Sequence, residues 1–324
     1  MSTVAVPTRR RLLQGLAGVA ALGCGQVRAQ PVGGPVRPFE LTDGVWMVQG
    51  EAALGSPANR NHISNAGFVV TEAGVLVVDG LGAPALAQEL LAAIRRITPQ
   101  PVRQVVVTHY HADHIYGLQA LQAAGARVLA HPAARVYLNS DTAQQRLQSS
   151  RDSLAPWVDA DTRLVPADDW LPGDEQTLAL GGQRFRVRAL GPAHTPEDLV
   201  VLAERSGVLF AGDLVFRGRI PFVGQADSRG WIAALDRLIA WQPRWVVPGH
   251  GPASREPVAD LVLTRDYLLH LRQVMGAAAE AMVPFDEAYA AADWRRFEHL
   301  PLFRAANRMN AYNTYLLMEQ QGRP

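Results

Sequence analysis

The sequence predicts an α/β protein built as a four-layer αββα sandwich with a C-terminal helical extension. Two observations predict it. Apolar, strand-forming runs fall into two successive groups, in which hairpins give way to strand–helix units with the helices outside. Histidine and aspartate recur where such runs end, in five places that one sheet edge would bring together.

The elements follow in order. Residues 45–48 read as a first strand. Residues 51–65 (EAALGSPANRNHISN) are rich in Gly, Pro, Asn and Ser and read as a loop. Residues 66–70 and 75–78 form a hairpin. Residues 84–97 carry Leu86, Leu90, Leu91 and Ile94 on one helical face. Residues 102–107 (VRQVVV) form a buried strand. A helix at 118–124 and a strand at 127–130 follow, then a helix over 132–149 with proline near its start. Strands are expected at 183–189, 199–203, 208–211 and 244–247. An amphipathic helix at 228–241 is expected to be capped by Ser228. A long helix over 256–281 begins an extension that stays helical to Gln321. The expected division is an export signal at 1–29, a catalytic domain at 30–255 and the extension at 256–324.

The N-terminus is expected to lie outside the fold. Arg9, Arg10 and Arg11 precede Leu12-Leu13 and a short apolar stretch, and Val27-Arg28-Ala29 offers small residues for cleavage. The stretch is too short to span a bilayer. The paired arginines point to twin-arginine export and a periplasmic or secreted product without a stable membrane anchor. Cys24 is the only cysteine and lies within this signal, so no disulfide or thiolate ligand is expected in the mature chain. A composition of 48% hydrophobic and 19% charged residues is that of a globular protein. The formal charge of +1 belongs to the signal: without residues 1–29 there remain 27 basic and 30 acidic residues, a net −3. That balance argues against nucleic acid as a partner. All the basic residues are arginine, so no lysine is available as nucleophile or anion clamp.

The chemistry is concentrated in Thr108-His109-Tyr110-His111-Ala112-Asp113-His114. Imidazole and carboxylate are ligands for zinc, iron and manganese. Four such groups this close do not fit one ion comfortably, and the spacing suggests two adjacent metals. Asp79, His194, Asp213 and His250 stand at similar strand ends. No serine or cysteine triad competes with them.

With these five motifs in this order the chain resembles the metallo-β-lactamase-fold superfamily, over about residues 40–255. The resemblance implies two Zn2+ ions. His109, His111 and His194 would bind one; Asp113, His114 and His250 the other; Asp213 would bridge them, and Asp79 would hold a ligand loop by hydrogen bonds. Two divalent ions roughly 3.5–4 Å apart acidify a water between them for attack on an acyl carbonyl. Asp113 would orient that nucleophile. The implied enzyme is a hydrolase of a β-lactam, lactone, ester or thioester, acting on a small molecule. Aspartate at 213, where class B β-lactamases have a metal-binding cysteine, makes the chain glyoxalase II-like. Those lactamases carry a substrate-binding lysine three residues on; here Phe216 stands there, with Arg217 and Arg219 nearby to take a carboxylate. The motifs at 191–196 and 247–251 are lactamase-like. The pattern is also similar to exported metallohydrolases encoded with quinoprotein systems.

The alternative is a persulfide dioxygenase of the same fold, with one Fe2+ on His109, His194 and Asp213. His131, His270 and His299 read as structural. His62 reads the same way, yet its loop could overhang the site, so it joins Phe216, Arg217 and Arg219 as a candidate substrate contact. Trp157, Phe222 and Trp231 are candidate pocket walls or core residues.

Overall fold

The structure, a computed structural model, describes residues 34–321 together with Met1. The expected export signal and Cys24 lie outside the described residues, Met1 apart. The first sheet contains β1 (Phe39–Thr42), β2 (Val45–Val48), β3 (Ala66–Thr71), β4 (Gly74–Val78), β5 (Val102–Val106), β6 (Arg127–Ala130) and β7 (Asp169–Trp170), in chain order. β1 to β4 pair antiparallel, and β4 to β7 pair parallel. Parallel neighbours require crossovers. These run through α1 (Pro84–Ile97), then α2 (Ala112–Ile115) and α3 (Leu118–Ala123), then α4 (Ala134–Leu138) and α5 (Asp141–Ser153).

The second sheet contains β8 (Glu175–Leu180), β9 (Gln183–Ala189), β10 (Leu199–Ala203), β11 (Val208–Phe216) and β12 (Trp245–His250). β8 to β11 form an antiparallel meander, and β11 pairs parallel with β12 across α6 (Ser228–Trp241). α7 (Pro257–Glu280), α8 (Phe285–Ala291) and α9 (Phe303–Gln321) complete the chain. Among the described residues no helix is long and apolar enough to cross a membrane.

Strand periodicity explains the layering. Val75 and Val77 of β4 face the helices of the first half, whereas Leu76 and Val78 face the second sheet. In β11, Leu209 and Ala211 face the outer helices, and Val208 and Phe210 face the first sheet. Strands buried on both faces read as continuous apolar runs. Three apolar cores therefore separate four layers, as the sequence predicts.

Several elements differ from expectation. β1, β7 and β8 were not foreseen. They are short or lie at sheet edges, where one face meets water and the apolar signal halves. The helix expected over 132–149 is broken, because Ser140 caps a new start by accepting from the Ala143 amide at 3.1 Å. The cap of α6 is Asp227, not Ser228: its Oδ1 accepts from the Arg229 and Gly230 amides at 3.1 and 3.0 Å. β11 runs five residues past its expected end at Ala211. Its register with β12 shifts at Gly212, whose φ of +53° re-aims the strand so that Asp213 follows.

Candidate metal centre

The parallel strands deliver the site at their C-terminal ends. Asp79 follows β4, and the 108–114 run follows β5. His194 lies in the β9–β10 connection, Asp213 in β11, and His250 at the end of β12. Both sheets thus contribute to one rim. His109, His111, His194 and Asp213 present one ligand atom each within 4.8 Å of one another, and Asp113, His114 and His250 do the same. His111 and Asp113 are half-buried and mark the side that meets solvent; the other five are buried.

Asp213 faces both groups. Its Oδ2 lies 3.4 Å from His194 Nε2 and 3.7 Å from His109 Nε2. Its Oδ1 lies 3.2 Å from His114 Nε2 and 3.3 Å from His250 Nε2. Asp113 Oδ2 closes the second group, 3.3 Å from His250 Nε2 and 3.6 Å from His114 Nε2. His111 Nδ1 approaches His194 Nε2 at 3.1 Å.

Hydrogen bonds on the far side of the rings decide which nitrogen faces the centre. Asp79 Oδ1 accepts from the Thr108 amide at 2.8 Å, and its Oδ2 accepts from Thr108 Oγ1 at 2.9 Å and His114 Nδ1 at 2.8 Å. With its one proton given to Asp79, the Thr108 hydroxyl can only accept from His109 Nδ1, 3.0 Å away. His250 Nδ1 donates to the Ile63 carbonyl at 2.7 Å. The Nε2 atoms of His109, His114 and His250 are left to face the centre. Buried His109 Nε2, His114 Nε2 and Asp213 Oδ1 have no hydrogen-bond partner. Five imidazoles and two carboxylates that converge here, three of their inward atoms buried and unpartnered, fit one or two divalent cations of the zinc, iron or manganese type.

The local charges agree with that fit. Burial opposes an ionised Asp213, yet the His250, His114 and His109 imidazoles outweigh it and hold the carboxyl well below its ordinary range. Asp113 is lowered in the same way, against its own burial, by His114 and His250. His109 is pushed far down by burial and by His114, and His111 is pushed to about 3 by burial and by His194. Burial would also lower His114 and His250, but Asp213 above all raises both. The carboxylates thus favour positive charge at those two Nε2 positions, from a proton or a metal cation.

Neighbouring residues hold the rim in shape. Asn65 Nδ2 donates to the Pro248 and Gly251 carbonyls at 2.8 and 2.7 Å, and the Asn65 amide donates to the Gly249 carbonyl at 2.7 Å. A Cβ on Gly249 would collide with Asp213 Oδ1. Asp198 closes the His194 loop through the Thr195 amide and hydroxyl at 2.7 and 2.9 Å. Phe216 stacks on His250 at 5.0 Å and 6°, and Trp231 meets His194 edge-on at 5.0 Å. Sequence reasoning gave no role to Asn65, Thr108 or Asp198. Their side chains also make ordinary turns and caps, so residue type alone carried no signal.

The candidate substrate contacts lie differently. His62 is buried, and burial followed by the charge of Arg60 lowers it to about 4. Only the first part of its loop is exposed; residues 59–62, 64 and 65 are buried and Asn59, Asn61, Ser64 and Asn65 anchor the loop by hydrogen bonds, which differs from an overhanging flap. Arg217 pairs with Asp260 at 2.9 Å. Arg219 is buried with Nη1 3.3 Å from His250 Nδ1. Phe216 is buried as well. Trp157 is only half-buried; its Nε1 donates to the Pro57 carbonyl at 2.8 Å.

Known proteins are similar to this chain in sequence and in fold. A linear primary-alkylsulfatase from Pseudomonas sp. (strain ATCC 19151) is 27% identical over 238 residues, 61% of this chain and 44% of that protein. The chain thus spans less than half the length of that relative. A metallo-beta-lactamase type 2 from Bacillus sp. (strain 170) is 26% identical over 226 residues, 67% of this chain and 77% of that one. In fold, the stereoselective inverting sec-alkylsulfatase Pisa1 from Pseudomonas sp. superposes with a TM-score of 0.70 at 16% identity, covering 87% of this chain and 50% of that chain. The metallo-beta-lactamase superfamily model matches residues 59–250, a span that includes all seven clustered residues and ends at His250. The chain belongs to the metallo-beta-lactamase superfamily.

Proposed function

We propose that the chain is an exported two-zinc hydrolase that cleaves an acyl bond in a small molecule: a β-lactam, lactone, ester or thioester. The observation that carries this reading is Asp213, which turns one carboxylate oxygen to each ligand group. His109, His111 and His194 would hold one cation, and Asp113, His114 and His250 the other, with Asp213 shared. Such cations supply Lewis acidity that brings the pKa of water toward neutrality and polarises a carbonyl. Asp113, half-buried and kept ionised by His114 and His250, would accept a hydrogen bond from the attacking water and hold its proton. Phe216 and Trp231 keep the imidazoles in place and exclude water behind them. The basic patch and apolar stretch at residues 9–23 support export, which cell fractionation tests.

Similarity to alkylsulfatases supports a second reading, hydrolysis of a sulfate ester. The fold likeness over 87% of the chain is larger than residues 34–255 alone would give, so it reaches into the C-terminal helices. One experiment separates the readings: metal content of the purified protein alongside turnover of a chromogenic lactam, a lactone, an acyl thioester, an aryl ester and a primary alkyl sulfate. The expected result is about two zinc per chain and acyl hydrolysis. Cleavage of the sulfate alone would replace the acyl reading. One iron with oxygen uptake on a persulfide would overturn hydrolysis altogether.

A further inference from the structure

We propose that Asn310 is a positioning residue for the metal centre: from α9 it fixes the loop that follows Phe216 and places Arg219 beside His250. This rests on the metal-centre reading above. The loop, residues 217–227, joins β11 to α6, and Arg219, Ile220, Val223 and Ala226 within it are buried. A buried loop must find partners for its backbone groups. Asn310 supplies two of them. Its Oδ1 accepts from the Val223 amide at 2.9 Å, and its Nδ2 donates to the Pro221 carbonyl at 2.7 Å. The side-chain amide thus pairs with the loop as one rung of a sheet would.

The second proton of that amide is also used. Asn310 Nδ2 donates to Tyr267 Oη at 3.0 Å, and Tyr267 Oη donates to Asn307 Oδ1 at 2.8 Å. Asn307 Nδ2 donates to Tyr289 Oη at 3.1 Å. Asn307, Asn310, Ala311 and Thr314 form the buried stripe of α9, with both asparagines fully excluded from solvent. Leucine at either position would bury apolar surface without a desolvation cost. Two buried asparagines on a helix face are explained by geometry they impose, since a fully satisfied polar network specifies one arrangement.

The loop is tied at two further points. The Ile220 amide donates to the Pro301 carbonyl at 3.0 Å, and Arg217 pairs with Asp260 of α7. Next to these ties lies what the centre uses. Phe216 stacks on the His250 ring, and Arg219 lies 5.6 Å from the Phe216 centroid and 5.2 Å from that of Phe222. His250 is therefore held by the Ile63 carbonyl, by Phe216 at the end of β11, and by Arg219 of the loop, whose Nη1 lies 3.3 Å from its Nδ1. The C-terminal helices act on the centre through Asn310, although none of their residues belongs to the ligand groups.

The test uses the full chain with Asn310→Asp, Asn310→Leu and, as a control on the same buried stripe, Thr314→Val. Two quantities are read: amide hydrogen exchange at Val223, and cobalt(II) affinity with the visible spectrum of the cobalt protein. Expected for both Asn310 variants are faster Val223 exchange, cobalt binding weaker by about 10- to 100-fold and an altered spectrum, with Thr314→Val unchanged. Faster exchange with unaltered cobalt affinity and spectrum would overturn the proposal, as would no change in either. Should the Asn310 variants not fold, Tyr267→Phe removes only the hydroxyl that orients the amide. It should move both quantities in the same direction by less, and no movement would overturn the proposal. A wild-type chain that takes up no cobalt would defeat the metal-centre reading instead, and Val223 exchange would still report on Asn310.

Discussion

Asp113 and His114 adjoin in sequence, yet they do opposite things. His114 is fully buried, with Nδ1 fixed by Asp79, so its position is inherited from β4. Asp113 meets solvent and has both His114 and His250 beside it. Asp113→Asn keeps the shape and removes the charge. We expect turnover to fall by about 10²- to 10⁴-fold while the far-UV spectrum is retained; unchanged kcat on the best substrate of the panel would show that the proton is handled elsewhere. His62 gives a separate pH prediction. Its folded pKa, about 4, lies below the ordinary 6.5, so between those values the unfolded chain binds more protons than the folded one. Stability should therefore fall as pH drops through 6.5, with the loss complete near 4 and amounting to about 3 kcal/mol. His62→Gln should flatten that part of a Tm-against-pH curve, and an identical slope in both proteins would refute the assignment. At this scale the clustered candidate ligands were legible, because few residue types bind metals and their spacing was dense. Thr108, Asn65 and Asn310 were not legible. An amide or hydroxyl looks the same in a turn as in a buried clamp, and only the fold shows what it reaches.

The β11–β12 pair shows how an element sets a site. Gly212 lets β11 bulge beside Thr108, and Gly249 lets β12 approach the Asp213 carboxylate. Gly249→Ala should force Asp213 or the strand aside at a cost of about 1–3 kcal/mol and weaken metal binding measured by chelator competition. Gly173→Ala, where a Cβ would meet nothing within 4 Å, should leave both unchanged. Equal metal affinity in the Gly249 variant would mean that this close approach does not position Asp213. The strands β4, β10, β11 and β12 were visible in the sequence because each is apolar and buried along most of its length. β8 (EQTLAL) alternates between exposed and half-buried positions, so its pattern is weak. The end of β11 was misplaced because Gly212-Asp213 reads as a turn, whereas the pairing with β12 continues through it to Phe216.

At the scale of the whole molecule, the centre joins the two sheets. Asp79 and the 108–114 run come from the first, and His194, Asp213 and His250 come from the second. The core between the sheets provides the other junction. Without a cation, imidazoles that disfavour one another's charge and two ionised carboxylates are buried together, with several donor atoms unpartnered. A bound metal satisfies those atoms in the folded chain alone, so metal binding should appear as stability. At a free zinc concentration a thousandfold above Kd the gain is about 4 kcal/mol, and for a domain of this size that corresponds to a rise in Tm of roughly 7 °C. Calorimetry of chelator-treated protein, before and after zinc is returned, measures it. The gain should shrink as pH falls, because protons compete with zinc for His114 and His250, the two imidazoles whose pKa values the carboxylates raise. A Tm indifferent to zinc at neutral pH would show that the sheets do not depend on a cation for their junction, and the core between them would then have to account for it alone.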